Sequence, residues 1–222
     1  MATRSDMPAA LFRLEGTLSP RPTLTAAAWM VANAQRVRAR LLGLSAMALA
    51  APLAARDPSR ASKLAWATLE GTTEDRLIVL GEIYAEEHLV PALSTVGLEL
   101  FERCRAQGMR LVILSDNLDV VVRPIAEHLR ADEVICNAME LDDRGRATGA
   151  LRDPVIGPAI GGRVLRDKLE ERGIALADAC AYGSSAADSA LLGAARLPCA
   201  VTPDRELRRV ARDLDWPIVE GS

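Results

Sequence analysis

Three short polar clusters interrupt otherwise apolar segments of the chain. They are Arg13-Leu14-Glu15-Gly16-Thr17, Ser115-Asp116-Asn117 and Gly183-Ser184-Ser185-Ala186-Ala187-Asp188. Between them they hold carboxylates, hydroxyls, a guanidinium and turn-forming glycine. Arg13 admits two chemistries. It can form an ion pair with Glu15 or Asp188. Alternatively, with Ser115 and the amides around Gly16, it can cradle a phosphate or carboxylate. Asp116 and Asn117 suit the cap of a following helix, and Ser184 and Ser185 suit a strand-to-helix turn. His88 and His128 lie on helical segments away from these clusters and read as packing or surface residues.

Cys104, Cys136, Cys180 and Cys199 stand far apart with no CxxC or Cys/His pairing. They read as reduced core residues of a cytoplasmic protein, neither a disulfide frame nor a zinc site. Half of the 222 residues are hydrophobic and 26% are charged, which excludes collagen-like and disordered classes. Aromatics make up only 3%, so the core must be built from Leu, Val, Ile and Ala. The formal net charge is −3 with the signs well mixed, so no nucleic-acid partner is expected. The basic face 205–212 is interleaved with Glu206 and Asp213 and reads as solvated. The opening residues carry charges every few positions and read as no targeting signal. The apolar run Leu41–Ala55 contains Pro52 and falls short of the ~20 residues that span a bilayer. It reads as a buried or subunit-facing helix, with contact at a membrane surface as the alternative, because Arg36, Arg38 and Arg40 precede it.

The elements that must position the clusters follow from periodicity. A strand over 10–14 precedes the breaker Ser19-Pro20-Arg21-Pro22. Four helices are expected next: from Thr23 or Thr25 to Arg40, Leu41–Leu53, from Ser59 or Ser62 to Leu69, and one capped by Thr72 or Thr73. The last carries Leu77, Leu80 and Tyr84 on one face. After Pro91 the pattern alternates. Strands are expected over 109–115, 133–136, 179–182, 198–201 and 217–219. Helices are expected over 94–107, 118–129, 160–172, 186–195 and 204–213, with a hairpin turning at 142–145. Near-continuous apolar strands alternating with helices mean a doubly wound parallel α/β sheet. Such sheets bind ligands beyond the carboxyl ends of their strands, where all three polar clusters fall.

The order of these blocks resembles the haloacid dehalogenase superfamily, in the branch of phosphoserine phosphatase. The resemblance rests on FRLEGTL, VILSDN, AYGSSAADSALL and VTPDRELRRVARDLDWPI and covers nearly the whole chain. It implies a Rossmann-like core over 1–20 and 92–222, with a helical cap over 21–91 inserted after the first strand. In such enzymes an Asp-x-Asp-Gly-Thr motif supplies a nucleophile and an acid/base, and a Ser or Thr binds the phosphoryl oxygens. A Lys neutralises charge, and late carboxylates hold Mg²⁺.

Carried onto this sequence, Arg13 stands in the nucleophile slot and Glu15 in the acid/base slot. Gly16, Thr17, Ser115 and Asn117 fall in the anion-binding part, and the Lys slot falls near Gly161, with Arg163 the nearest base. Asp188 matches one metal position, while Ser184 replaces the other. A guanidinium cannot attack phosphorus, and it repels a cation. The expectation is therefore a non-catalytic, pseudophosphatase-like binding protein that needs no cofactor, its partner a small anion or another protein. The enzyme-class alternative is a phosphomonoester hydrolase with an atypical site.

Overall fold

The computed structural model describes residues 8–33, 52, 58–157, 159 and 162–221. Six parallel strands form one sheet, and the helices pack on both of its faces. In chain order the strands are β1 (Ala9–Arg13), β2 (Arg110–Leu118), β3 (Glu133–Asn137), β6 (Cys180–Gly183), β7 (Leu197–Val201) and β8 (Ile218–Val219). Strands β4 (Met139–Leu141) and β5 (Ala147–Leu151) make a separate antiparallel hairpin across the expected turn. The sheet order β3-β2-β1-β6-β7-β8 puts β1 and β6 side by side at its centre. The chain winds outward from β1 to β3 and then returns to the other side of β1. That reversal opens the crevice in which such sheets hold ligands.

All five residues of β1 and all nine of β2 are buried, as the continuous apolar runs require. Their side chains alternate between two cores. Phe12 and Ile113 join Trp66, Leu77, Leu80 and Phe101 on one face. Leu11, Val112 and Leu114 join Leu165, Leu191 and Leu207 on the other. Phe12 stacks on Tyr182 with centroids 4.2 Å apart and meets Phe101 edge-on at 4.9 Å. These contacts fix the end of β1, and therefore Arg13, firmly within the sheet.

Helix α1 (Thr23–Ala32), α2 (Pro58–Ala67) and α3 (Glu74–Tyr84) lie between β1 and β2 in the chain, as the helical insert does in the sequence. Leu77, Leu80 and Tyr84 are buried along one face of α3, as their spacing predicts. Thr23 and Thr73 do not cap by their side chains. Pro22 is the N-cap of α1, and Thr73 that of α3, without a side-chain bond. The chain continues through a wider turn over Ala85–Leu89 and a tighter one over Val90–Ala92. Residues 34–40, the expected remainder of α1, and most of the apolar run Leu41–Ala55 lie outside the described residues. Among the described residues, no helix is long and apolar enough to cross a membrane.

The remaining helices are α4 (Thr95–Ala106), α5 (Asp119–His128), α6 (Gly162–Glu170), α7 (Ser189–Ala194) and α8 (Arg205–Asp213). Ser94 caps α4 by accepting from Gly97 N at 3.2 Å, and Asp204 caps α8 by accepting from Leu207 N at 2.7 Å. Gly97 has no substitute, because a Cβ there would collide with the carbonyl oxygen of Thr17. This close approach seats α4 against the loop that follows β1. The four cysteines are free thiols, with Cys104 buried and the others half-buried.

Candidate functional site

The site begins with Arg13, the last residue of β1, whose side chain is buried. Its three nitrogens are each taken by a different carboxylate. Nε meets Asp188 Oδ1 at 3.0 Å, Nη1 meets Glu15 Oε2 at 3.3 Å, and Nη2 donates to Asp116 Oδ1 at 3.2 Å. The three acids come from three segments: the loop after β1, the carboxyl end of β2, and the turn after β6. A guanidinium presents its donors in a fixed planar fork, which suits it to bridge several carboxylates. Burial opposes its charge, but Glu15, Asp188 and Asp116 together hold its pKa above the ordinary value.

Each acid is held independently. Asp188 is fully buried, and its Oδ2 accepts from Ser184 N at 2.9 Å, Ser185 N at 3.0 Å and Ser185 Oγ at 3.2 Å. This reciprocal cap folds the turn Ala186–Asp188. Asp116 is fixed through its backbone. Asn137, at the end of β3, donates Nδ2 to Asp116 O and to Ile156 O, both at 2.8 Å, and accepts from Ile156 N at 2.7 Å. Glu15 Oε1 accepts from Ser115 Oγ at 2.5 Å and from Thr23 Oγ1 at 3.4 Å. Burial pushes the Glu15 carboxyl up to about 7, with Arg13 and Ser115 opposing that rise and Asp116 adding to it.

A cavity of about 350 Å³ opens beside the cluster. Its polar lining includes Arg13, Glu15, Asp116 and Ser184, while Pro20, Pro22 and Leu24 from the start of the helical insert give an apolar wall. Ser62 of α2 also reaches it. Gly16 forms the floor in a left-handed conformation, φ +80°, and Ser184 Oγ occupies the place where its Cβ would stand. The turn from β1 and the turn from β6 therefore interlock at a point that only glycine permits.

The structure brings most of the singled-out residues to one place, but in different employment. Arg13, Glu15, Gly16, Ser184 and Asp188 converge. Ser115 is buried next to them, yet its hydroxyl is spent on Glu15 and on accepting from Asn117 N at 3.0 Å. Thr17 is fully buried under the loop. Arg163 does not join the cluster. Its side chain is 91% exposed on α6, 3.6 Å from Asp167 one turn along.

The helix-cap reading of Asp116 and Asn117 needs correction. Strand β2 runs on to Leu118, so both residues are buried within it, and Leu118 is the N-cap of α5. The polarity of Asp116 at the end of a buried central strand is the signal that marks it as a site residue. Asn137 escapes the sequence reading altogether, because the expected third strand stops at Cys136.

Mg²⁺ demands near-octahedral oxygen ligands at roughly 2.0–2.1 Å. As arranged, these carboxylates do not fit it, because the Arg13 guanidinium fills the space between them. Among the described residues, no group of three or more His, Cys, Asp or Glu side chains is placed to hold a metal ion.

A parallel α/β sheet with a polar cluster at its carboxyl ends, beneath a helical insert, defines the class of capped hydrolase folds. The chain belongs to the haloacid dehalogenase-like hydrolase family, whose model matches residues 10–193. It is 34% identical over 142 residues to the "Inhibition of morphological differentiation protein" of Streptomyces azureus, covering 63% of this chain and 51% of that protein. The chain therefore matches only about half the length of that relative. Among solved structures, a protein of unknown function from Bordetella pertussis Tohama I superimposes with a TM-score of 0.83 at 23% identity, covering 96% of this chain and 98% of that one. A substrate-bound phosphoserine phosphatase superimposes with a TM-score of 0.67 at 18% identity, over 96% and 93% of the two chains. At these identities the likeness is one of fold.

Proposed function

We propose that this chain is a binding member of the haloacid dehalogenase-like family that has lost the phosphatase mechanism. One observation carries the reading: Arg13, which the resemblance aligns with the nucleophile, is a guanidinium held by three carboxylates. It offers no electron pair to phosphorus, and its charge is already compensated within the protein. The resemblance assigns phosphoryl recognition to Ser115, whose hydroxyl is bonded to Glu15. Mg²⁺ plays no part in this reading.

Three carboxylates surrounding one guanidinium leave the cluster with excess negative charge, so free phosphate is not the occupant we favour. A protein surface or a neutral or cationic group suits the cavity better. The test is turnover of a generic aryl phosphate and of phosphoserine, with and without Mg²⁺, together with thermal unfolding in the presence of inorganic phosphate. Background turnover and an unmoved melting temperature are expected. Hydrolysis above background overturns the loss of mechanism, and a phosphate-dependent shift overturns the choice of occupant.

A second reading is favoured by Glu15, which lines the cavity and whose carboxyl is pushed up to about 7 by burial. Such a group can deliver a proton at neutral pH. If the chain is a phosphomonoester hydrolase with an atypical site, its turnover must vanish in Glu15→Gln.

A further inference from the structure

We infer that the cavity above Gly16 takes a small primary amine, its ammonium on Asp116 and its carbon body against Pro20, Pro22 and Leu24. The inference rests on the binding reading above and names the chemical class of the occupant. Nearly every carboxylate oxygen around Arg13 has a partner within the protein. Glu15 Oε1 accepts from Ser115 and Thr23, and Asp188 Oδ2 accepts from the amides of Ser184 and Ser185. Glu15 Oε2, Asp188 Oδ1 and Asp116 Oδ1 meet Arg13. Asp116 Oδ2 is left without a partner among the described residues. Two hydroxyls on the same cavity share that condition: Ser184 Oγ, over the Gly16 floor, and Ser62 Oγ, on α2. Asp116, Ser184 and Ser62 are only 3%, 7% and 6% exposed. They come from β2, the turn after β6 and the helical insert, and they border one cavity of about 350 Å³. Buried polar atoms are almost always paired, so a ligand with matching groups supplies what the protein does not.

The charge and the donor pattern select that ligand. A carboxylate oxygen only accepts, so Asp116 Oδ2 calls for an N–H, and the two hydroxyls can accept the remaining N–H groups of an ammonium. Glu15, Asp116 and Asp188 outnumber Arg13 even when Glu15 holds its proton, so a positive charge on the occupant is favoured. An anionic group finds no free cation. Each Arg13 nitrogen meets a carboxylate, and no other Arg, Lys or His among the described residues lines the cavity. The amino end of α1 is turned to the protein's own carboxylate, with Thr23 Oγ1 donating to Glu15 Oε1. Amines that also carry a carboxylate or a phosphate are therefore rejected. Quaternary ammonium ions lack an N–H and lose the bond to Asp116.

The experiment is an NMR chemical-shift titration of the wild type at neutral pH with butylamine and with 2-phenylethylamine. The corresponding alcohol, carboxylate and trimethylammonium compounds serve as neutral, anionic and quaternary counterparts. At least one amine should bind with millimolar affinity or better, about tenfold tighter than each of its counterparts. Asp116→Asn keeps the Oδ1 acceptor for Arg13 but puts a donor in place of Oδ2, and should weaken the amine by about tenfold or more. Ser62→Ala should weaken it by a smaller factor. If Asp116→Asn does not fold, the Ser62→Ala/Ser184→Ala variant takes its place and must weaken the amine by about tenfold. A counterpart that binds as tightly as its amine, an amine affinity unchanged by the variants, or no binding of either amine overturns the inference. Turnover of phosphate esters by the wild type would instead defeat the binding-protein reading and leave the amine result standing, so the two can fail separately.

Discussion

Replacing Glu15 by Gln should make the protein more stable at pH 8 and erase part of its pH dependence. The side chain is only 11% exposed, and burial raises its carboxyl from the ordinary 4.5 to about 7 despite the ion pair with Arg13. Below about 4.5 the group is protonated in both folded and unfolded chains. Between that point and about 7 only the folded chain keeps the proton, so stability falls as pH rises through this window and levels off above it. The rise in pKa corresponds to about 3 kcal/mol at most, which for a chain of this size is about 6–12 °C in melting temperature. The amide of the Glu15→Gln variant preserves an acceptor for Ser115 Oγ and has no proton to lose, while Asp116 and Asp188 still pair with Arg13. Urea unfolding of both proteins from pH 5 to 8 should give a steeper decline for the wild type, with the variant gaining as the pH rises. Parallel profiles, or a variant that loses ground at pH 8, would refute the electrostatic account of the cluster.

Three further outcomes follow from neighbouring contacts. Gly16→Ala should cost about 1–3 kcal/mol, because φ is +80° and the new Cβ meets Ser184 Oγ; pairing it with Ser184→Gly should relieve the clash but not the backbone strain, as a double-mutant cycle in urea will show. Asn137→Ala removes three buried hydrogen bonds and should cost about 2–4 kcal/mol, with Ile156 and its loop gaining amide hydrogen exchange. The Cys136 thiol, pushed up to about 12 chiefly by burial, should react with a thiol-directed disulfide reagent at pH 8 far more slowly than free cysteine; reaction at the free rate would contradict its placement.

The amino-acid sequence determined the architecture, because burial on both faces of β1 and β2 requires unbroken apolar runs, and 9–12 and 111–114 supply them. It also pointed to the candidate site, since the three polar clusters follow the apolar runs and so fall at the carboxyl ends of parallel strands, where the structure brings Arg13, Glu15, Asp116 and Asp188 together. The helix over 74–84 was legible for the same reason: Leu77, Leu80 and Tyr84 recur at helical spacing and must share a face. It did not reveal that β2 continues through Asp116 and Asn117, because Ser-Asp-Asn has local turn and cap chemistry that neighbouring strands override. Nor could it choose between an anion cradle and an ion pair for Arg13. That depends on charges 2, 103 and 175 residues away along the chain. Arg163 is the base nearest a slot that counting places at Gly161, yet helix α6 turns it to solvent, because three-dimensional direction is not encoded in spacing from a distant glycine. Only the tertiary structure decided that one guanidinium would meet three carboxylates, since β1 lies between β2 and β6 and the ends of all three strands converge on Arg13.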